Sequence, residues 1–275
     1  MVQSILDWLG REGGAVLSWW LLATLAGAAA WPLTFRLLRG LRDKGYALAR
    51  SLGLLLVGFV FWLGGSLGFL TNASGGVLLA ALVVLAIGLV LQWRGHESMR
   101  EWVRTHWKYM LLVEVLFLAL FFGWALFRAY FPDTRTTEKA MDLAFLSAIR
   151  RSETFPPNDP WMSGYAISYY YFGYFLAAML AKMSGVANAT AFSLMIALLF
   201  ALTGTGTFGV VYSLVRSRAS AHRRKRIGEL TSRKTAVIFA VLGLVFVILL
   251  GNFYTVLIEI PVQGRFASPG YLAFW

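Results

Sequence analysis

Long apolar runs separated by short polar connections set the pattern of this chain. Seven stretches stand out against the roughly 20 residues that a helix needs to span a bilayer: Gly14 to Thr34, Ser51 to Leu70, Val77 to Trp93, Tyr109 to Phe127, Ser168 to Ala181, Thr190 to Val215 and Thr235 to Val256. None alternates with a period of two. Backbone groups in lipid must be satisfied within the segment, so each stretch reads as helix. Gly14 to Thr34 is too long, and too poor in a cleavage site, for a signal peptide, so it reads as a retained first span. The final run, Gly270 to Trp275, is apolar with no terminal charge cluster and reads as cut rather than finished.

The polar connections orient these spans. Arg36, Arg39, Arg42 and Lys44 mark one basic loop, and Arg94, Arg100, Arg104 and Lys108 mark another, whereas 71–76 carries no charge. Positive loops stay on the cytoplasmic side, which places the N-terminus and the region from Arg128 onward outside. If Ser168 to Ala181 crossed, the most basic loop, around Arg223 to Arg226, would fall outside as well. That 14-residue stretch, led by tyrosines, is therefore expected to lie in the outer interface or to dip in and return. The predicted fold is all-α: a polytopic bundle of six to seven membrane helices with an external cap. Its predicted divisions are 1–127, an external 128–188, and further membrane helices over 189–275.

Composition agrees: 59% of the 275 residues are hydrophobic and 14% are charged. The excess of 25 Lys and Arg over 13 Asp and Glu lies in inter-span loops, where it meets anionic lipid headgroups, so the partner is membrane lipid and not nucleic acid. There is no cysteine, which excludes disulfide and thiolate chemistry. His96, His106 and His222 have no acid or cysteine at zinc-ligand spacing. Asn72-Ala73-Ser74 and Asn188-Ala189-Thr190 match the short glycosylation sequon. Glu114 sits about one and a half turns from Lys108 and reads as snorkelling to the cytoplasmic interface.

The external region carries the chemistry. Met141, Ala144, Phe145, Ala148 and Ile149 recur at helical spacing, predicting an amphipathic helix from Thr136. Glu138 and Asp142 are four residues apart, so both project from one face of that helix. Paired carboxylates can act as general base or metal ligand, and the same spacing also describes a solvated helix face. Pro156, Pro157 and Pro160 force an extended strip that fixes Asp159, which suits either a site or a brace. Tyr169, Tyr170, Tyr171 and Tyr174 crowd the next segment. Interfacial belts enrich tyrosine, but three in succession on a helix point in three directions, so at least one faces protein or ligand. Phenols together with arginines suit a phosphate-bearing headgroup or a sugar ring. Gly173 is expected where backbone packs against the cap helix.

The run from Glu138 to Leu146, then Pro156 to Trp161, then Tyr169-Tyr170-Tyr171-Phe172-Gly173-Tyr174, resembles the uncharacterised YYY membrane proteins, long hydrophobic prokaryotic proteins named for that triplet. The layout is similar, more distantly, to the GT-C superfamily of membrane glycosyltransferases. That resemblance implies a polyprenyl-phosphate-linked sugar donor and a catalytic acid on the first external loop, here Asp142 or Glu138. It implies that Arg128, Arg135 or Lys139 neutralises the departing phosphate, with or without a divalent metal, and that Asp159 and the four tyrosines contact substrate. The alternative is a non-enzymatic scaffold or a lipid or glycolipid transporter. The near absence of ionisable groups from the spans argues against ion-coupled transport.

Overall fold

A computed structural model describes residues 2–94, 98–130, 139–222 and 233–250. The described residues are helical apart from the connections, the longest of them 152–171, which holds one isolated bridge between Asn158 and Ala166. Among the described residues, eight α-helices follow in order: α1 (Val2–Leu37), α2 (Ala49–Ser66), α3 (Ser74–Trp93), α4 (Met99–Tyr130), α5 (Lys139–Arg151), α6 (Phe172–Ser184), α7 (Asn188–His222) and α8 (Arg233–Ile248). Among the described residues, five segments are long and apolar enough to cross a membrane: Leu6–Leu37, Tyr46–Ser66, Ser74–Trp93, Met99–Ala129 and Asn188–Arg216.

Two compact units divide the chain, Met1–Leu202 and Thr203–Trp275. In the first, α1, α2 and α3 all pack against one another, and small residues set their separation. A Cβ on Gly53 of α2 would lie 2.2 Å from the carbonyl oxygen of Ala26 in α1, so only glycine permits this backbone contact. Val16, Trp19, Ala23, Ala26 and Ala30 of α1 line the buried seam. In the second unit, Ala236, Ala240 and Leu244 form the buried stripe of α8, at the i, i+4, i+8 spacing of one helix face.

The turn between α1 and α2 is held by a buried acid. Asp43, 1% exposed, accepts the amides of Gly45 at 3.0 Å and Ala47 at 3.1 Å, and the Tyr109 hydroxyl at 3.0 Å. Lys44 and Gly45 both take positive φ, the conformation this tight turn needs. A residue in a basic loop thus anchors α4 to the turn.

Glu114 does not snorkel as expected. Its carboxylate accepts both terminal nitrogens of Arg50, which is 7% exposed, and the Tyr46 hydroxyl at 2.6 Å. The guanidinium also donates to Thr24 Oγ1 and sits 4.3 Å from the Phe117 ring centre. The cause is pairing: a bidentate arginine across the bundle satisfies both carboxylate oxygens, which the route to the interface would leave to water. The spans therefore carry a buried ion pair.

The segment from α5 to α6 is built on the α2–α3 end of the first unit. Phe155 inserts against Gly65, where a Cβ would lie 2.2 Å from its ring, and packs edge-on with Phe61 and Phe175. At the start of α6, Trp62 Nε1 donates to the Tyr171 hydroxyl at 2.7 Å. Near its end, Lys182 Nζ donates at 2.5 Å to the carbonyl oxygen of Asn72, in the α2–α3 connection. Both ends of α6 are thus tied to one end of the α2–α3 hairpin. Its 13 residues extend about 20 Å, short of the ~30 Å hydrocarbon core.

Candidate functional site

The amphipathic helix is present as α5, though its buried residues are Phe145, Leu146, Ala148 and Ile149. Leu146 joins the stripe because α6 covers that side. The cap is latched by the two sequon asparagines. Asn72 Nδ2 donates to the carbonyls of Ile149 and Ser152, both at 2.7 Å, and Asn188 Nδ2 donates to Ser147 Oγ at 2.7 Å. Arg150 donates to the Val186 carbonyl at 2.8 Å and to the Asn188 side-chain oxygen. These bonds fix α5 on both sides of α6, and they occupy the amides a glycan would need.

With α5 held there, Asp142 faces α6. Its Oδ1 accepts the Tyr174 hydroxyl at 2.6 Å, one of the short contacts expected of a phenol on a carboxylate. The Tyr174 phenol is pushed well above its ordinary ionisation range, first by burial and then by the bond to Asp142, so it remains a donor. Phe145, one turn after Asp142, packs against the rings of Tyr174, Tyr169 and Trp161. At the far end of α6, burial and the nearby Arg150 lower the Lys182 pKa.

Beneath Asp142 lies a cavity of about 700 Å³. Lys139 and Asp142 supply its polar groups, Gly173 and Tyr174 one wall, and Phe192, Met195, Ile196 and Leu199 of α7 an apolar floor. From Phe192 to Leu199 the floor descends about 10 Å along the helix. Leu199 is 51% exposed within a membrane-length segment, so the cavity reaches the lipid-facing surface of α7.

The other expected site residues are distributed differently. Tyr169 and Tyr170 stack at 3.9 Å between ring centres, their hydroxyls 2.5 Å apart, on an exposed rim. With Tyr171, Phe59, Trp62 and Phe172 they line a separate, mainly aromatic depression of about 360 Å³. Asp159 Oδ1 caps a turn, accepting the amides of Trp161 and Met162 at 2.8 and 2.9 Å. The chain on either side of that turn pairs back on itself through Asp159 N to Tyr165 O and Ile167 N to Pro157 O. The proline strip is thus a brace pinned into the core by Phe155. Arg128 lines a third cavity, apart from Asp142. Glu138 and Arg135 lie outside the described residues. Among the described residues, no group of three or more His, Asp or Glu stands close enough to hold a metal ion.

Gly173 was expected against the cap helix, but a Cβ there would meet nothing within 4 Å. It borders the cavity because α5 crosses α6 at Tyr174 and not one residue earlier. Gly173→Leu should therefore leave the fold intact and fill the cavity mouth. The expected result is an unchanged thermal unfolding midpoint in detergent together with loss of a lipid ligand. A large fall in that midpoint would instead place Gly173 at a helix contact.

The Asp142 cavity and the tyrosine rim lie within the part of the chain that compares with other proteins. No curated protein and no solved structure matches the chain. A family model described as an uncharacterised membrane protein, DUF2298, matches residues 56–262. With several membrane-length helices and that match over most of its length, the chain is a multi-pass membrane protein that belongs to the DUF2298 family.

Proposed function

We propose that this protein is a GT-C-like glycosyltransferase, or the N-terminal part of one, that moves a sugar from a polyprenyl-phosphate carrier to an acceptor hydroxyl at the external membrane face. The observation that carries this reading is the Asp142 carboxylate, oriented by Tyr174 and set over an apolar cavity that reaches the lipid-facing side of α7. A polyprenyl chain would lie along Phe192, Met195, Ile196 and Leu199, bringing its phosphate and sugar up to the polar end. Lys139 is the cation there and would neutralise the departing phosphate. With Oδ1 engaged by Tyr174, Oδ2 takes the proton of the acceptor hydroxyl. The acceptor oxygen then bonds to the anomeric carbon, and the bond from that carbon to the phosphate oxygen breaks. Polyprenyl phosphate leaves with the electron pair.

The test is transfer in proteoliposomes that hold the full-length protein and polyprenyl-phosphate-linked radiolabelled hexoses. Label should move from the organic-extractable lipid to an acceptor, and the double variant Glu138→Gln/Asp142→Asn should abolish that movement. Transfer by the double variant at the parent rate sinks the proposal. A lipid or glycolipid transporter is the second reading. The Arg50 and Glu114 ion pair favours it, because buried charge within spans is a feature such proteins use.

A further inference from the structure

The third cavity, of about 350 Å³, lies between the N-terminal part of α1, the end of α4 and the start of α7. Its polar groups are Arg11, Glu12, Arg128, Thr190 and Ser193. From the geometry we infer that this cleft binds the phosphate group of an anionic membrane lipid, at a site separate from the Asp142 cavity and independent of the transferase reading.

Arg128 carries the argument. Its Nε and Nη2 are buried and have no hydrogen-bond partner among the described residues. Leaving a buried guanidinium unsatisfied is costly, and the deficit is met by an anion brought from outside. Arg11, exposed at the rim, engages among the described residues its Nε alone, on the Asp7 carbonyl at 3.4 Å, which leaves the rest of its planar fork for a phosphate. Glu12 supplies one negative charge against these two cations, and the cleft keeps a net positive character. Thr190 and Ser193 are three apart on α7, so their hydroxyls share one face. Thr190 also lies in the first turn, where free amides and the helix dipole favour an anion.

A lipid is the source because of where the cleft sits. Arg128 stands at the end of the apolar segment Met99–Ala129, at the depth of headgroups. Trp8 borders the opening, as aromatic residues do at that depth, while Val16 and Leu194 continue the wall as apolar surface toward the bilayer interior. The α7 residues used here, Thr190, Ser193 and Leu194, lie on a different helix face from Phe192, Met195, Ile196 and Leu199 of the Asp142 cavity. The two cavities therefore flank α7, and one can be emptied without touching the other.

The experiment uses the full chain in phosphatidylcholine nanodiscs, titrated calorimetrically with dihexanoyl phosphatidic acid, dihexanoyl phosphatidylcholine and inorganic phosphate. Phosphatidic acid should bind saturably and more tightly than either of the others. Arg128→Gln should weaken it by about tenfold or more, the loss expected for a charge-assisted hydrogen bond. Asp142→Asn should leave it unchanged. Should Arg128→Gln fail to fold, Arg11→Gln with Thr190→Val and Ser193→Ala decides the matter by the same loss. Parent-like affinity in the arginine variants overturns the site, and inorganic phosphate binding as tightly as the lipid overturns the lipid as its source.

Discussion

Asp142→Asn in the full-length protein should lower sugar transfer by about 10²-fold or more, the contribution of a positioned general base, with no loss of fold. The amide keeps an oxygen that can accept the Tyr174 hydroxyl, so the α5 to α6 contact survives. It cannot take the acceptor's proton. Tyr174→Phe should have a smaller effect, about tenfold, because it removes one hydrogen bond to a charged group while leaving the base in place. The pH dependence separates these roles. The folded-state pKa of Tyr174 lies above its ordinary value, so the bond's contribution to stability is complete below pH about 10 and is lost only as pH rises through the higher folded value. Between about pH 6 and 9 the loss caused by Tyr174→Phe should therefore be constant. A loss confined to the alkaline end of that range would show that the phenol itself titrates in the reaction, which this geometry forbids.

Parts of this arrangement are legible in the sequence because they follow from local periodicity. The apolar runs give the spans, and the spacing of Met141, Phe145, Ala148 and Ile149 gives α5 with Asp142 on its polar side. The shortness of Ser168 to Ala181 and the loop charges together predict a helix that returns, and the structure adds the bonds of Tyr171 and Lys182 that tie both its ends to the α2–α3 end. The choice of Tyr174 over its neighbours is not legible. It depends on the register between two helices whose contacting residues are 32 positions apart, which periodicity within either helix leaves open.

The misses share one cause, long-range polar pairing that makes ionisable residues useful inside. Arg50 stands at the border of an apolar run, and Asp43 stands in a loop of arginines, so both look solvent-facing. The dipeptide Lys44-Gly45 after Asp43 carried a usable signal, since an acid two residues before a glycine commonly caps a tight turn. In the sequence, Asn72 and Asn188 stand out only as sequons. Their actual work is to tie α5 to the two connections beside it, a role that no short pattern encodes.

The largest stability effect should come from the ion pair between α2 and α4. Glu114→Gln leaves Arg50 charged and 7% exposed with its counter-charge gone, keeping only a neutral amide oxygen beside Thr24 and the Phe117 face. Glu114 keeps 27% of its side chain exposed, so breaking this pair from one side should cost less than a fully buried one, for which the loss is about 3–5 kcal/mol, and thermal unfolding in detergent should still shift down. Replacing both partners, as Arg50→Met with Glu114→Leu, removes the unpaired charge and should restore most of that loss, since apolar substitutes for a buried pair are often neutral or better. Tyr46 would lose its acceptor at 2.6 Å, which sets a residual cost of about 1 kcal/mol. Parent-like stability in Glu114→Gln would show that the pair does not hold α2 to α4. The same double variant also separates the two functional readings. A transferase centred on Asp142 should keep its activity once the fold is restored, whereas a transporter that depends on this pair should fold and fail to move lipid.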